Sequence, residues 1–426
     1  MAEYTTPALN VREVDVLVAG GGVAGFGAAL MAARCGVKTL LIESLNAVGG
    51  MSTSGLMSHF TGTVDSLLYT EVLERMAQCN EGDMHGKVQR YIDPEQLKGV
   101  YLDMLSEAGA ELLFYSQACA PMVEEDRITG VYIENKDGRT LVKAKVVIDA
   151  TGDGDIAARA GVPFVLGRTG DNVMQPATLM FKVDNVDTSR AVFPHSFESL
   201  VDTAKGELQA LAKKNLPAPA GHVLLYPSPL PGIVTCNMTN CIQIDGTSAA
   251  DLTRAEITCR QQMRKIIAFL REYAPGYENC RLISSGSMIG VRETRHFEGL
   301  ETLTEEDILT CRVFPNWIVK GAKFNFDVHN TVGSGLDVTG SQATFPADRF
   351  YTIPYGCFVP RTMNGLLLAG RMISGTHIAH SNFRAMPICL AMGEGVGTAA
   401  AIAVKNNCEV REVSVEAIQQ ILLGAK

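Results

Sequence analysis

The chain has 426 residues, of which 46% are hydrophobic and 19% are charged, and its formal net charge is −9 at pH 7. This length and apolar content exclude an intrinsically disordered chain and favour two packed units over one. The acidic balance argues against nucleic acid and anionic membranes as partners over most of the surface.

The first predicted unit alternates strand, helix and strand. Residues 14–19 form an apolar run typical of a buried strand, Val23–Arg34 is a helix rich in small residues, and residues 38–43 supply a second strand. Parallel strands of this kind are joined by a right-handed crossover. Arg34 and Lys38 interrupt the apolar stretch, so no membrane span is predicted. The first residues lack the pattern of a secretory signal, and we expect a cytoplasmic location without a membrane partner.

The next part of the chain is predicted as one helix followed by a β-meander. Asp93 is a typical N-cap and Pro94 a typical first helical residue, so a helix is expected to about residue 108, closed by Gly109. Short strand patterns follow at residues 111–115, 119–124, 128–135, 140–144 and 146–150. A turn at residues 136–138 makes two of these strands a hairpin.

The composition changes after about residue 165. A Pro-rich stretch covers residues 216–231, and helical patterns lie near residues 196–214 and 250–273. These segments carry no diagnostic motif, and we predict that residues 166–350 form a mixed α+β domain that binds the substrate.

The character of the first unit returns near the end of the chain. Residues 365–369 have a buried-strand pattern, and residues 387–403 have a helical pattern rich in Gly and Ala. The sequence therefore predicts one discontinuous α/β domain, made of residues 10–165 and 351–426, with the substrate domain inserted in it.

Three glycines follow the first predicted strand in the pattern Gly20-x-Gly22-x-x-Gly25. The first permits a tight turn, the second lets the backbone approach a pyrophosphate, and the third lets helix and strand pack closely. Backbone N–H groups at the helix start then face the phosphates. Glu43, at the end of the second strand, is placed to accept hydrogen bonds from the adenosine ribose. The pattern predicts a dinucleotide site without separating NAD from FAD.

Three further segments separate NAD from FAD by resemblance. They are Gly49-Gly50-Met51-Ser52, Thr151-Gly152-Asp153 and Leu368-Ala369-Gly370-Arg371. Their order resembles the glutathione-reductase-type FAD proteins, and especially the FAD-dependent oxidoreductase family related to the flavin subunit of heterodisulfide reductase. The resemblance spans nearly the whole chain. It implies FAD as the cofactor, held by a Rossmann-type domain with a parallel sheet and a β-meander.

The resemblance also implies individual cofactor contacts. The implied residues are Gly20, Gly22, Val23, Ala24, Gly25, Glu43, Gly49, Gly50, Met51, Ser52, Cys119, Thr151, Gly152, Gly370, Arg371, Arg384 and Pro387. Ala118 or Cys119 would offer backbone to adenine, and the helix beginning near Pro387 would stabilise negative charge at the flavin pyrimidine edge. Gly393 and Gly397 weaken that helix, as does Gly395 between them. A close neighbour is therefore expected there, either the flavin ring, the first helix, or both.

Five side chains are candidates for contact with the substrate. His59 follows the glycine-glycine loop, although a structural histidine fits this position as well. In a family-like segment at residues 290–296, Arg292 and Arg295 could bind a carboxylate or a carbonyl oxygen. They could instead pair with nearby acids such as Glu293 and hold the two domains together.

The remaining candidates lie in the last third of the chain. His329 is the first choice for proton transfer, because a similar Asp-x-His segment of the family precedes the return to the FAD domain, and Tyr355 is the second choice. His377 and His380 could contact flavin phosphates, carry a covalent flavin, or make only local hydrogen bonds. No metal site is predicted.

These features predict an enzyme that passes a hydride between flavin N5 and a small organic molecule bound between the two domains. The alternative is a flavin electron-transfer subunit with a protein partner, which would need iron–sulfur ligands that eleven scattered cysteines do not form. The charge disfavours an RNA-modifying flavoprotein, and an NAD dehydrogenase is the fallback without flavin. A homo-oligomer is compatible with the sequence.

Overall fold

The computed structural model describes residues 10–79, 91–337, 345–346 and 348–424. The first nine residues, which entered the expectation about a secretory signal, lie outside the described part. So do residues 338–344 and 347 of the predicted substrate domain.

The secondary-structure elements follow one another along the chain in three groups. The first group is β1 (Asn10–Ala19), α1 (Val23–Arg34), β2 (Thr39–Ile42), β3 (Thr63–Asp65), α2 (Leu67–Cys79), α3 (Pro94–Glu107), β4 (Glu111–Leu113), β5 (Gln117–Glu124), β6 (Arg127–Asn135), β7 (Gly138–Asp149), α4 (Asp155–Arg159) and β8 (Phe164–Leu166). The second group is β9 (Phe181–Asp184), β10 (Asp202–Thr203), β11 (Gly206–Glu207), α5 (Leu208–Asn215), β12 (Leu225–Pro227), β13 (Val234–Cys236), α6 (Ala249–Tyr273), β14 (Arg281–Ser285), β15 (Arg295–Phe297), α7 (Glu305–Leu309) and β16 (Trp317–Lys323). The last group is β17 (Tyr351–Pro354), β18 (Leu366–Leu368), α8 (His377–Phe383), α9 (Met386–Asn406) and α10 (Val415–Leu422).

A seven-stranded sheet forms the centre of the first unit, in the order β4-β2-β1-β7-β6-β5, with β18 also paired to β7. Strands β4, β2, β1, β7 and β18 run parallel, whereas β5, β6 and β7 form an antiparallel meander. The predicted Rossmann-type α/β fold is confirmed. One detail was wrong, because residues 140–144 and 146–150 are not two strands but parts of the single long strand β7.

Strand β7 is shared between the early and the late parts of the chain. Its first half pairs with β6, and Val147–Asp149 pair with the late strand β18. On its other edge β7 pairs with β1 along nearly its whole length. The C-terminal return predicted from the sequence therefore completes the same sheet that the first residues begin.

Helices α1 and α9 pack with their backbones in close contact. A Cβ atom at Gly393 would lie 2.0 Å from the carbonyl oxygen of Ala24, and one at Gly397 would lie 2.2 Å from that of Ala28. From the α1 side, a Cβ at Gly27 would lie 2.7 Å from the oxygen of Leu390. Gly393 and Gly397 are therefore explained by helix packing, one of the two reasons expected from the sequence, whereas a Cβ at Gly395 would lie 2.9 Å from the oxygen of Ile318 in β16.

Helix α9 is long and apolar enough to cross a membrane by length and composition alone. In the fold, 94% of its most apolar window is buried against the rest of the protein. Its apolar character is thus accounted for by its position in the core, between α1 and the sheet that contains β16.

A second, four-stranded antiparallel sheet has the order β12-β13-β9-β14 and is covered by α5 and α6. Ser248 caps α6 by accepting a hydrogen bond from the amide of Asp251, and this helix was predicted nearly to the residue. The helix predicted at residues 196–214 is correct only in its second half. Residues 202–207 form the β10–β11 hairpin, because Gly206 has a φ of +127° that a helix cannot accommodate.

Buried side chains form two clusters rather than one. The first follows the seven-stranded sheet and the C-terminal helices, and the second contains only residues between Ala177 and Cys280. The first cluster also contains residues from Phe297 to Phe345, which fall within the predicted substrate domain. The domain boundaries at residues 165 and 350 stay a prediction.

The α1–α9 contact makes a stability prediction. Gly393→Ala should lower the free energy of unfolding by about 1–3 kcal/mol or more, because the added methyl group meets backbone that cannot move aside. The matched control is Gly99→Ala on the exposed face of α3, where a Cβ would meet nothing within 4 Å. That change should stabilise the protein by up to about 1 kcal/mol. Thermal unfolding would measure both, and a Gly393→Ala protein that melts like the wild type would contradict the close contact.

Candidate functional site

A cleft of about 950 Å³ runs between the carboxyl ends of the parallel strands and the four-stranded sheet. Its volume is at the upper end of the roughly 300–1,000 Å³ usual for small-molecule and cofactor sites. Open α/β sheets bind their ligands at this edge, outside the carboxyl ends of the strands. The cleft is therefore the candidate site, and its two ends differ in chemistry.

The glycine turn after β1 lines one end of the cleft. Gly20 has a φ of +99°, and a Cβ there would lie 2.4 Å from the oxygen of Ala150. A Cβ at Gly25 would lie 1.8 Å from the oxygen of Gly20, so this glycine allows α1 to start directly against the turn. At Gly22, by contrast, a Cβ would meet nothing within 4 Å. The open space at Gly22 is where a ligand can approach the backbone.

The N-terminus of α1 carries no side-chain cap. Its first residues, Val23 and Ala24, line the cleft, so the free amides and the positive end of the helix dipole suit an anion such as a phosphate. Glu43 is held beside this terminus, because its carboxylate accepts hydrogen bonds from the amides of Gly21 at 2.7 Å and Leu45 at 2.8 Å. A fixed carboxylate here can accept further hydrogen bonds from hydroxyl groups.

The glycine-glycine loop closes over the turn. The amide of Gly49 donates to the oxygen of Gly21 at 2.7 Å, and Gly49 has a φ of +108°. Gly50 and Met51 line the cleft. Ser52 does not, because it is buried beneath the loop, where its hydroxyl donates to the oxygen of Gly49.

Asp149, at the end of β7, organises the loop that follows it. Its fully buried carboxylate accepts hydrogen bonds from the amide and hydroxyl of Thr151 and from the amides of Ile156 and Ala157. Burial raises the pKa of this group. Asp149 was not predicted from the sequence, although an acid at the end of an otherwise apolar strand was a usable signal. The loop that it holds brings Thr151 and Gly152 to the cleft.

Two arginines on the C-terminal part of the chain line the cleft. Arg371 donates to the carboxylate of Asp153 at 2.6 Å, and Arg384 donates to the carboxylate of Asp327 at 2.8 Å. In each case the Nε atom is buried without an acceptor among the described residues. Buried donors normally have a partner, so a bound group that offers acceptors fits this region.

The start of α9 also reaches the cleft, through Ala385 and Met386. No side chain caps this terminus, and Pro387 lies in the first turn as predicted. Pro387 itself does not line the cleft. Gly370, with a φ of +113°, brings the backbone before Arg371 to the same wall.

His329 lies at the other end of the cleft and is only 7% exposed. Its Nε2 atom is 3.2 Å from the carboxylate of Asp327, and its amide donates to the side chain of Gln175. Burial, followed by the positive charge of Arg292, lowers the pKa of His329 to about 4. The imidazole is therefore neutral at pH 7.

Asp327 joins His329 to Arg384. Burial acts to raise the pKa of this carboxyl, but the charges and hydrogen bonds of His329, Arg384 and Arg292 outweigh it. The pKa of Asp327 consequently lies well below its ordinary value, and the carboxylate is ionised. It holds the imidazole by accepting a hydrogen bond from Nε2, which leaves Nδ1 as the proton acceptor of the ring.

Arg292 lines the cleft beside His329. Its Nη1 atom donates to the oxygen of Pro176 at 2.6 Å and to the hydroxyl of Thr178 at 2.8 Å. Arg295 does not reach the cleft, because it pairs with the carboxylate of Asp155 at 3.0 Å. The two arginines of this segment thus have different environments, and the structural alternative fits Arg295.

The two remaining candidate side chains, His59 and Tyr355, differ in whether they reach the cleft. His59 lines the cleft, with its Nδ1 2.8 Å from the hydroxyl of Ser58 and its ring centroid 4.9 Å from that of Tyr226. Tyr355 does not reach the cleft. Its side chain is buried under the C-terminal segment, where the hydroxyl donates to the oxygen of Val410 at 2.7 Å. The expectation that Tyr355 completes the pocket was wrong for this reason.

Of the two residues proposed to meet adenine, the structure brings only Ala118 to the cleft. Ala118 and Gln117 line the wall, whereas Cys119 does not. The backbone oxygen of Cys119 instead accepts a hydrogen bond from Arg159 at 2.9 Å.

His377 and His380 lie outside the cleft wall and take part in a buried cluster. The carboxylate of Glu293 lies 2.8 Å from Nε2 of His296 and 2.6 Å from Nδ1 of His377, and it accepts the amide of Gln175. Candidate ligand atoms of Glu293, His296 and His380 lie within 4.8 Å of one another, a spacing that a metal ion could use. Hydrogen bonds already account for the carboxylate of Glu293. The alternative of local hydrogen bonding therefore fits His377.

One wall of the cleft was not predicted from the sequence at all. We call it the apolar wall, and it consists of Met180, Phe197, Leu224, Tyr226 and Met288. These residues come from the inserted unit, where loops and short strands bring together positions that have no common motif.

Comparison with known proteins bears on the cofactor. A family described as FAD dependent oxidoreductase matches residues 15–422 of the chain. Digeranylgeranylglycerophospholipid reductase 2 of Methanopyrus kandleri is 30% identical over 149 residues, which cover 33% of this chain and 38% of that protein. Thiamine thiazole synthase of Methanococcus vannielii is 31% identical over 153 residues, covering 34% and 58%. The chain thus spans less than two thirds of the length of these curated relatives.

Among solved structures, the p-nitrophenol 4-monooxygenase PnpA of Pseudomonas putida DLL-E4 aligns over 97% of this chain and 85% of that one. The TM-score is 0.51 and the sequence identity 11%, so the likeness shows the fold alone. The family match covers nearly all of the chain, including the glycine turn and α9. The chain therefore belongs to the FAD dependent oxidoreductase family, and FAD is its cofactor.

Proposed function

We propose that the protein passes a hydride between FAD and a small organic molecule bound against the apolar wall. The observation that carries this proposal is that one cleft joins a phosphate-binding turn and two uncapped helix N-termini to a buried, neutral histidine. FAD supplies the two-electron chemistry when bound. The residues of this chain orient it, exclude water and hold a proton beside it.

The described residues fit the cofactor at several points. The open space at Gly22 and the amides of Val23 and Ala24 suit the pyrophosphate, and the carboxylate of Glu43 suits the ribose hydroxyls. The buried Nε atoms of Arg371 and Arg384 offer further donors. The N-terminus of α9 adds a positive helix dipole, which favours negative charge on a flavin ring placed beside it.

Proton transfer is assigned to His329. The ionised Asp327 accepts the Nε2 proton and thereby orients Nδ1 as a base, the arrangement expected of a general base whose ring is fixed by a carboxylate. His59 is the second candidate, because it also lines the cleft, where its ring packs beside that of Tyr226.

The alternative function, an electron-transfer subunit, depends only on the resemblance to glutathione-reductase-type proteins and to heterodisulfide reductase subunits. Seven of the eleven cysteines are buried free thiols, which does not favour iron–sulfur ligation for a partner. We also propose a cytoplasmic location, since so many free thiols suit a reducing compartment. Homo-oligomerisation and the domain boundaries stay predictions.

The function is tested first by absorbance and then by reduction. The purified protein should show oxidised-flavin bands, and acid precipitation will show whether the flavin is covalently attached. Mixed anaerobically with a panel of small organic reductants, the FAD-loaded protein should lose its visible band with at least one of them. His329→Asn should keep FAD and slow that reaction about 10²-fold or more, the range of general-base effects. A colourless protein that takes up no FAD would refute the proposal. An unchanged rate of flavin reduction in His329→Asn, together with a slow rate in His59→Asn, would assign proton transfer to His59 instead.

The glycine turn gives a separate prediction about cofactor placement. Gly22→Ala should leave the melting temperature of the FAD-free protein unchanged, since the backbone has a φ of −62° and the methyl group meets no atom. It should weaken FAD binding at least tenfold, or about 1.4 kcal/mol, because the methyl group occupies the space of the pyrophosphate. Gly99→Ala serves as the control. Equal FAD affinity in the two variants would show that the pyrophosphate lies elsewhere.

The lowered pKa of His329 predicts its titration. With histidines labelled for NMR, the signal that disappears in His329→Asn should not shift between pH 8 and about pH 5.5, because the imidazole stays neutral until the pH approaches 4. The unfolded chain takes up this proton near pH 6.5. His329 therefore costs folding stability as the pH falls from about 6.5 towards 4. A midpoint near 6.5 for this signal in the folded protein would contradict the buried environment of the ring.

A further inference from the structure

Arg292 is a cation whose hydrogen-bond partners, among the described residues, carry no charge. Its two hydrogen-bond acceptors, the oxygen of Pro176 and the hydroxyl of Thr178, are both neutral. Among the residues that the structure describes, no carboxylate forms an ion pair with its guanidinium group. Burial, followed by the nearby charge of Arg384, lowers the pKa of Arg292 to about 10, so the side chain still carries its charge at neutral pH.

The neighbouring arginines are compensated. Arg384 is paired with Asp327 at 2.8 Å, and Arg371 is paired with Asp153 at 2.6 Å. Asp327 is already shared with His329, and Glu198, which also lines the cleft, is exposed. The negative charge of Asp327 acts on Arg292 as well as on Arg384. Among the described residues, two guanidinium groups therefore share one carboxylate at this end of the cleft, which leaves one positive charge without an anion of its own. Buried charges are costly unless they are paired, which indicates that a ligand supplies the anion.

The position of Arg292 indicates that this anion belongs to the substrate and not to the cofactor. Thr178, to which it donates, leads into β9 of the four-stranded sheet, and Thr178 and Gly290 form a β-bridge beside Arg292. Two members of the apolar wall lie at the same end of the cleft, because the ring of Phe197 is 5.5 Å from that of His329 and Tyr226 is close enough to feel the charge of Arg292. The phosphate-binding turn after β1 belongs to the other sheet. A ligand that satisfies Arg292 and the wall together has an anionic group attached to an apolar body.

We propose that the substrate is an apolar organic acid whose carboxylate pairs with Arg292 while its hydrocarbon or aromatic part lies on the apolar wall, an inference that rests on the proposed function. Guanidinium groups bind carboxylates through two parallel hydrogen bonds, which fixes the orientation of the acid. The carboxylate would also offset the charge that acts on His329. Binding of the acid therefore strengthens the nearby base.

The test uses FAD-loaded protein and two matched pairs of probes, benzoate with benzamide and octanoate with octanamide. Binding is followed by perturbation of the flavin spectrum and by calorimetry. Both carboxylates should bind at least tenfold more tightly than their neutral amides. Arg292→Gln should weaken carboxylate binding tenfold or more without affecting the amides, and Arg292→Lys should lie between the two because it keeps the charge but loses the paired hydrogen bonds.

Arg281→Gln is the matched control, because Arg281 is an exposed arginine of β14 that pairs with Asp184 on the surface. It should bind all four probes like the wild type. The comparison of acids with amides needs no variant, so it tests the inference even if Arg292→Gln fails to fold.

Several outcomes would overturn the inference. Equal binding of acids and amides, no binding of either acid at millimolar concentration, or sulfate binding as tight as benzoate would each exclude an apolar carboxylate. If Arg292→Gln changed the reduction potential of the flavin and left carboxylate affinity intact, the charge of Arg292 would act on the cofactor and not on the substrate. Normal FAD uptake with any of these results refutes only the substrate class, whereas absent FAD uptake refutes the proposed function.

Discussion

The contact between helices α1 and α9 is the constraint on which the rest of the site depends. Gly393 and Gly397 let the backbone of one helix touch that of the other, with no room for a Cβ atom between them. Each helix begins at the same cleft, and neither has a side-chain cap at that end. The close packing therefore points two positive helix termini at one ligand. This gain explains why glycine is present in the interior of α9, where it lowers helix stability.

At the end of the cleft that contains His329, the protonation states are set by neighbouring charges and by burial. Asp327 is kept ionised by its cationic neighbours, and it in turn keeps His329 oriented. Arg292 and Arg384 both act on this one carboxylate, so the local balance of charge is opposite to that of the acidic whole chain. A bulk charge that repels polyanions is compatible with a cleft that attracts a small anion.

The parts predicted from the sequence are those in which local pattern and fold coincide. The turn from Gly20 to Gly25, the first helix and the cap at Asp93 depend on residues adjacent in the chain, and they form as expected. The errors come from tertiary context. Tyr355 was assigned to the pocket by proximity along the chain, yet its hydroxyl is used by Val410. The apolar wall could not be foreseen, because its members are brought together only by the inserted sheet.

Strand β7 pairs with both an early and a late strand of the chain, which has a consequence for folding during synthesis. The sheet that carries the glycine turn is complete only when β18 pairs with Val147–Asp149, and one face of α1 is covered by α9. Both elements lie in the last fifth of the sequence. During synthesis on the ribosome, the nascent domain therefore exposes an open sheet edge and one face of α1 until β18 and α9 emerge. The cleft is consequently complete only after these late segments have been synthesised, because Gly370, Arg371 and the start of α9 line it.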